Sequence, residues 1–151
     1  MNASPTHAHG RLRTSEQSAR STDQANRGGR ILVVDDEVDL LDMLMGHFLM
    51  SKYEVETATN GTDALIAVVR QRPDVVLLDI HMPGMNGVAA LKEIMKIDQS
   101  ITVIMVTGNL DLTNTVEAIR NGAFAYVPKP FDLRYLDHLI AASLGPSTRR
   151  R

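Results

Sequence analysis

No cysteine occurs among the 151 residues. That absence excludes a disulfide framework, a cysteine nucleophile and thiolate metal sites, and fits a reducing, cytoplasmic setting. Neither sign of charge dominates, since 16 Lys and Arg face 18 Asp and Glu for a formal net charge of -2. Such a balance creates no global field to draw nucleic acid or an anionic membrane surface, so neither is expected as a direct partner. Apolar runs are short, far below the roughly 20 residues that a membrane-spanning helix requires. A chain of this length can bury one sizeable core, so any function is expected to fit on a single domain.

What is present is unevenly distributed. Residues 1–29 are rich in Ser, Thr, Arg, Gln, Asn and Gly, with Leu12 the only large aliphatic side chain after Met1. They cannot bury enough surface to offset ordering entropy and are expected to form a disordered leader. His7 and His9 within it have no scaffold and are read as solvated residues, not as a metal site. At the other end, residues 145–151 (GPSTRRR) break the last helix and form a basic tail. The domain is expected to occupy 30–144.

Inside those bounds, aliphatic runs and helical periodicity alternate. Unbroken runs at 31–34, 75–78 and 103–106 and half-polar runs at 53–58 and 125–127 are five strand candidates. Leu41, Leu44, Met45 and Phe48 mark one helix face, Val88, Leu91 and Met95 a second, and Leu133, Leu136 and Ile140 a third. Met43, Met45, Met95 and Met105 are expected to be adaptable packing at core-facing positions. Asp132 is placed to cap the last helix. Unbroken runs suit central parallel strands covered on both faces, so the expected fold is a doubly wound α/β sandwich with five parallel strands in the order 2-1-3-4-5 and five helices.

In such sheets ligands bind at the carboxyl ends of the strands, near the switch point between strands 1 and 3. Asp35 and Asp36 follow the first strand in ILVVDDE, and Asp79 follows the third in VVLLD. Thr107 and Gly108 follow the fourth in VIMVTG, and Lys129 follows the fifth in AYVPKP. Three carboxylates gathered within a few ångströms repel one another, and the usual relief is a bound cation or raised pKa values; a hard divalent ion such as magnesium suits these oxygen donors. Acids at a strand-to-helix junction also serve as helix caps, which alone could account for Glu37 and one aspartate.

The stretches VVDDE, LLDIHMPGMNG, VTG and AYVPKPF, in that order, resemble the receiver domain of two-component response regulators over about 30–144. The resemblance implies a flavodoxin-like fold that accepts a phosphoryl group on an aspartate from a histidine kinase or histidine phosphotransfer protein. By position, Asp79 matches the phospho-acceptor, Asp36 a direct magnesium ligand, Asp35 a ligand acting mainly through water, and the main-chain carbonyl of His81 a further ligand. Thr107 and Lys129 match the groups that hold phosphoryl oxygens, and Tyr126 the aromatic switch residue. A signalling domain is implied, catalysing only its own phosphorylation and dephosphorylation. Its message would pass through the face formed by the helix at about 111–121, the fifth strand and the helix at 132–143, including Glu117, Arg120, Arg134, Tyr135 and Asp137. The recipient would be a partner protein or an output domain, and a phosphorylation-dependent homodimer is compatible with this.

Other residues carry blander expectations. Gly84 and Gly87 need only form a turn, while Gly108 leaves room for phosphoryl oxygens. The side chains of His81 and Asn109 occupy variable positions near the acceptor and receive no duty, and His47 and His138 lie on helices away from the rim. Two alternatives stand beside the receiver. A haloacid-dehalogenase-like magnesium phosphatase also uses Asp, Thr and Lys, but places its nucleophile in Asp-x-Asp after strand 1, where this chain has Asp35-Asp36-Glu37-Val38. A degenerate receiver would act only through protein contact. A nucleotide-binding module would need a Gly-rich turn after strand 1, and none is present.

Overall fold

A computed structural model describes residues 28–108 and 111–145. Most of the leader, with His7, His9 and Leu12, lies outside the described residues, as do Asn109 and the tail beyond Gly145. The strands are β1 (Arg30–Val34), β2 (Glu54–Ala58), β3 (Val75–Leu78), β4 (Thr102–Thr107) and β5 (Ala125–Pro128). The helices are α1 (Val38–Met50), α2 (Gly61–Arg70), α3 (Gly87–Ile97), α4 (Leu112–Arg120) and α5 (Leu133–Ser143). The strands pair in parallel in the order β2-β1-β3-β4-β5. The flavodoxin-like expectation is therefore met.

Strand composition explains strand position. β3 is buried at every residue, and β1 and β4 at all but their first. These three occupy the middle of the sheet, where both faces are covered. The half-polar β2 and β5 occupy the edges. Alternation along the strands divides the core into two layers. On one side Leu32, Val76, Leu78 and Met105 pack with Ala64, Leu91, Ile94 and Ala118 from α2, α3 and α4. On the other, Val33, Leu77 and Ile104 pack with Leu41, Phe48, Leu136 and Ile140 from α1 and α5. Among the described helices none is long and apolar enough to cross a membrane.

Four helices begin with a side-chain cap. Asn60 accepts from Asp63 N at 2.8 Å, Asn86 from Val88 N at 2.6 Å, Asp111 from Thr113 N at 3.0 Å and Asp132 from Arg134 N at 2.8 Å. Each such cap contributes on the order of 1 kcal/mol. α1 is different, because Glu37 holds the capping position without a side-chain cap bond. The side-chain cap that Glu37 could have supplied is not formed; its carboxylate instead lies 3.0 Å from the Lys129 ammonium.

Three further expectations change. Met43 is 45% exposed, so it is not core packing; it lies beside Leu41 and Leu44 in sequence but off their face of α1. Gly29 belongs to the fold rather than to a leader, because its carbonyl accepts from Glu54 N at 2.9 Å. Glu117 and Asp137, expected on a mixed charged face suited to pairing with a partner, are already paired within the fold. Glu117 pairs with Lys92 of α3 at 3.5 Å, and Asp137 with His47 of α1 at 2.8 Å. The exposed surface of α4, β5 and α5 is more apolar than expected, with Leu112, Ile119, Phe124 and Tyr135 each at least half exposed.

Candidate functional site

The carboxyl ends of the strands assemble one polar cleft of about 340 Å³, lined by Asp36, Glu37, Asp79, His81, Thr107, Gly108 and Lys129. Parallel pairing brings them together. Asp79 N donates to Val34 O at 3.0 Å, Asp35 N to Ala58 O at 3.1 Å, and Lys129 N to Thr107 O at 2.8 Å. Each functional residue thus extends a strand ladder by one step. Asp35, Asp79 and Thr107 are buried and Asp36 is exposed.

Asp35, Asp36 and Asp79 each offer a carboxylate oxygen, and all three lie within 4.8 Å of one another. The Lys129 ammonium stands 2.6 Å from Asp35 Oδ2, 3.0 Å from Glu37 Oε1 and 3.8 Å from Asp79 Oδ2. Burial raises the Asp79 carboxyl above its ordinary 3.8 and the charge of Asp35 raises it further, while Lys129 and the His81 N–H pull it back in part. Burial alone would lower the Lys129 ammonium, but its hydrogen bonds to Asp35 and Glu37 outweigh that and hold it above 10.5. One cation therefore lies within 3.8 Å of three carboxylates, with the Asp36 carboxylate beside them. This oxygen-rich, under-compensated donor set fits a hard divalent cation, which Asp35, Asp36 and Asp79 would hold.

Glycine at 87 does more than end a turn, which corrects the turn-forming expectation. A Cβ there would collide with the main chain of Asp79 and Ile80. Gly87 N donates to Ile80 O at 2.8 Å, so the first residue of α3 lies against the loop that carries Asp79. Gly84 does fit a turn, with φ +80° and open space around it. Gly108 has room for a side chain, its nearest neighbour being Lys129 at 3.9 Å. His81 is exposed at the cleft, and its N–H reaches Asp79 Oδ1 at 3.3 Å. His47 and His138 remain outside the cleft. Two contributions were hidden in the sequence, the approach allowed by Gly87 and the ion pair of Glu37 with Lys129. Only the acidity of Glu37 beside Asp35 and Asp36 hinted at the second.

A family model described as the response regulator receiver domain matches residues 31–141. The chain belongs to this family. The receiver is 44% identical over 115 residues to regulatory protein AtoC of Escherichia coli, which covers 76% of this chain and 25% of that protein. It is 39% identical over 104 residues to sporulation initiation phosphotransferase F of Bacillus subtilis, covering 69% of this chain and 84% of that one. Among solved structures, a CheY-like response regulator receiver domain protein from Methanospirillum hungatei matches with a TM-score of 0.78 at 33% identity. That match covers 81% of this chain and 98% of the other. The receiver thus spans about a quarter of AtoC but most of the Bacillus protein.

Proposed function

We propose that this receiver takes one phosphoryl group onto Asp79 from the histidine of a kinase or phosphotransfer protein. The observation that carries the reading is a buried carboxylate at the end of central β3, with two more carboxylates and one ammonium converging on it. An Asp79 oxygen forms the new bond to phosphorus while the bond from phosphorus to the donor imidazole breaks, and the imidazole leaves with the electron pair. Magnesium, held by Asp35, Asp36, Asp79 and the His81 carbonyl, would supply countercharge to the phosphoryl oxygens. Lys129 needs only a side-chain swing to reach them, since its main chain is fixed to Thr107. Thr107 supplies a hydroxyl at the same rim.

The signal then leaves through α4, β5 and α5. Met105 and Tyr126 are Cα partners and both face the layer beneath α4, a face that Thr107 shares by alternation. A Thr107 hydroxyl drawn toward the phosphoryl group frees space into which the half-buried Tyr126 ring can turn. This is a two-state element biased by new phosphoryl contacts. The recipient is a partner protein or an output domain, reached through an exposed surface that includes Leu112, Ile119 and Tyr135.

Acetyl phosphate with magnesium tests the reading. Intact-mass analysis should show one added phosphoryl group that is lost at high pH, and Asp79→Asn should remove it. Full labelling of the Asn variant would move the acceptor elsewhere, and sustained turnover of a small phosphomonoester would favour a phosphatase. With beryllofluoride bound, Thr107→Ala should lose the amide NMR shifts across α4, β5 and α5. Shifts like those of the wild type would remove Thr107 from the relay.

A further inference from the structure

Lys129 does not rest against the residue it is meant to serve. Its ammonium is 2.6 Å from Asp35 and 3.0 Å from Glu37, but 3.8 Å from Asp79, beyond hydrogen-bond reach. The main chain of Lys129 is anchored to Thr107, so this choice is made by the side chain. Asp35 cannot easily yield, being buried and also accepting from Glu37 N at 2.9 Å through its other oxygen. The Glu37 side chain is 64% exposed at the cleft mouth and caps nothing. It is the releasable partner.

We propose that Glu37 is a positioning residue that restrains phosphorylation, holding Lys129 away from Asp79 and placing negative charge at the cleft mouth. This rests on the receiver reading above. The two effects act together, because the pair that withholds the countercharge also presents a carboxylate to an incoming phosphodianion. Entry of the phosphoryl group requires Lys129 to exchange Glu37 for a phosphoryl oxygen. A simpler account is that Glu37 only stabilises the positive N-terminal end of α1. That account predicts a change in stability with none in phosphorylation rate.

Glu37→Gln separates them. Labelling by acetyl phosphate with magnesium should run about fivefold faster than in the wild type, the scale of one partly exposed ion pair. The ratio of the two rates should fall toward one as added salt screens the pair. A crystal structure of the metal-free variant should show the ammonium about 2.8 Å from an Asp79 oxygen. Equal or slower labelling of the variant, or an ammonium left at its resting distance from Asp79, would overturn the role of Glu37 while leaving the receiver reading intact. Failure of the wild type and the variant alike to label would overturn both.

Discussion

The two ends of the sheet carry similar numbers of charges and use them in opposite ways. At the amino ends of the strands, Arg30 reaches Glu54 at 3.1 Å and Glu56 at 2.9 Å, and its N–H donates to Asp74 at 2.9 Å. Arg72 spans Asp98 at 2.5 Å, Asp74 at 3.3 Å and Ser100 at 2.6 Å. Planar guanidinium forks meet these acids from fixed directions, and the amino end of β3 is tied to β1 and to the loop before β4. At the carboxyl ends, Asp35, Glu37 and Asp79 share the Lys129 ammonium, and Asp36 lies beside them. The acids respond accordingly. Hydrogen bonds from the Ser100 hydroxyl, then Arg72 and the Ser100 N–H, hold Asp98 well below the ordinary carboxylate range, whereas burial and Asp35 hold Asp79 above it. Fixed guanidinium pairing marks the end that maintains the fold, and carboxylates gathered around one ammonium mark the end proposed to take a cation and a phosphoryl group.

The largest effects should come from exchanging those roles. Asp36→Ala removes an oxygen donor and is expected to weaken magnesium binding by at least about tenfold in isothermal titration, with little loss of stability. Arg72→Ala should do the reverse, lowering the urea midpoint and leaving magnesium affinity unchanged. If Arg72→Ala altered the metal affinity, the two ends would be coupled and the division between them would fail. Gly87→Ala should affect both properties, because the new methyl group meets the main chain of Asp79 itself. Overpacking there should cost about 1–3 kcal/mol in urea denaturation and slow phosphorylation through displacement of Asp79.

The sequence exposes one half of this contrast more readily than the other. Unbroken aliphatic runs at β1, β3 and β4 reveal central strands, and the polar residue that follows each run lands on the rim because a strand end has a single direction. Asp35, Asp79 and Thr107 were legible for that reason, and Lys129 by the same position after the half-polar β5. Pairings across the fold were not. Lys129 and Glu37 are 92 positions apart, and His47 and Asp137 are 90 apart. No local pattern distinguishes a glutamate that caps a helix from one that bonds a distant lysine. Gly87 escaped for a different reason: its string PGMNG looks like a turn, while the close approach that excludes a side chain involves the main chain of Asp79 and Ile80 at the start of the same loop. Met43 failed because Met at the edge of an apolar face can turn either way.

A smaller effect follows from pH. Asp79 has a folded pKa above its unfolded value, so its contribution to stability is fully present below about 3.8 and is lost as pH rises through the folded value. Asp98 has a lowered folded pKa, so its contribution is present above 3.8 and is lost as pH falls. Urea midpoints of the metal-free protein from about pH 3 to pH 7 should therefore respond oppositely to the two asparagine substitutions. Asp79→Asn should gain on the wild type as pH rises, and Asp98→Asn should lose ground. Parallel curves would show that the two ends do not differ electrostatically in solution.

The smallest expected change lies at the amino end of the sheet, where α1 turns into β2. The helix closes with Tyr53 N donating to Phe48 O at 3.1 Å and Lys52 N to Leu49 O at 3.0 Å. The rings of Phe48 and Tyr53 meet edge to face at 6.1 Å. This arrangement requires a left-handed residue at position 52, and Lys52 occupies it with φ 72°. A Cβ in that region strains the backbone by roughly 1–2 kcal/mol, whereas glycine adopts it freely but loses more freedom on folding. Lys52→Gly should therefore raise stability by up to about 1 kcal/mol, read as a higher urea midpoint. Because the turn lies far from the cleft, labelling by acetyl phosphate should proceed at the wild-type rate. A changed labelling rate would mean that strain at the structural end is felt at the reactive end, and the separation of the two would have to be given up.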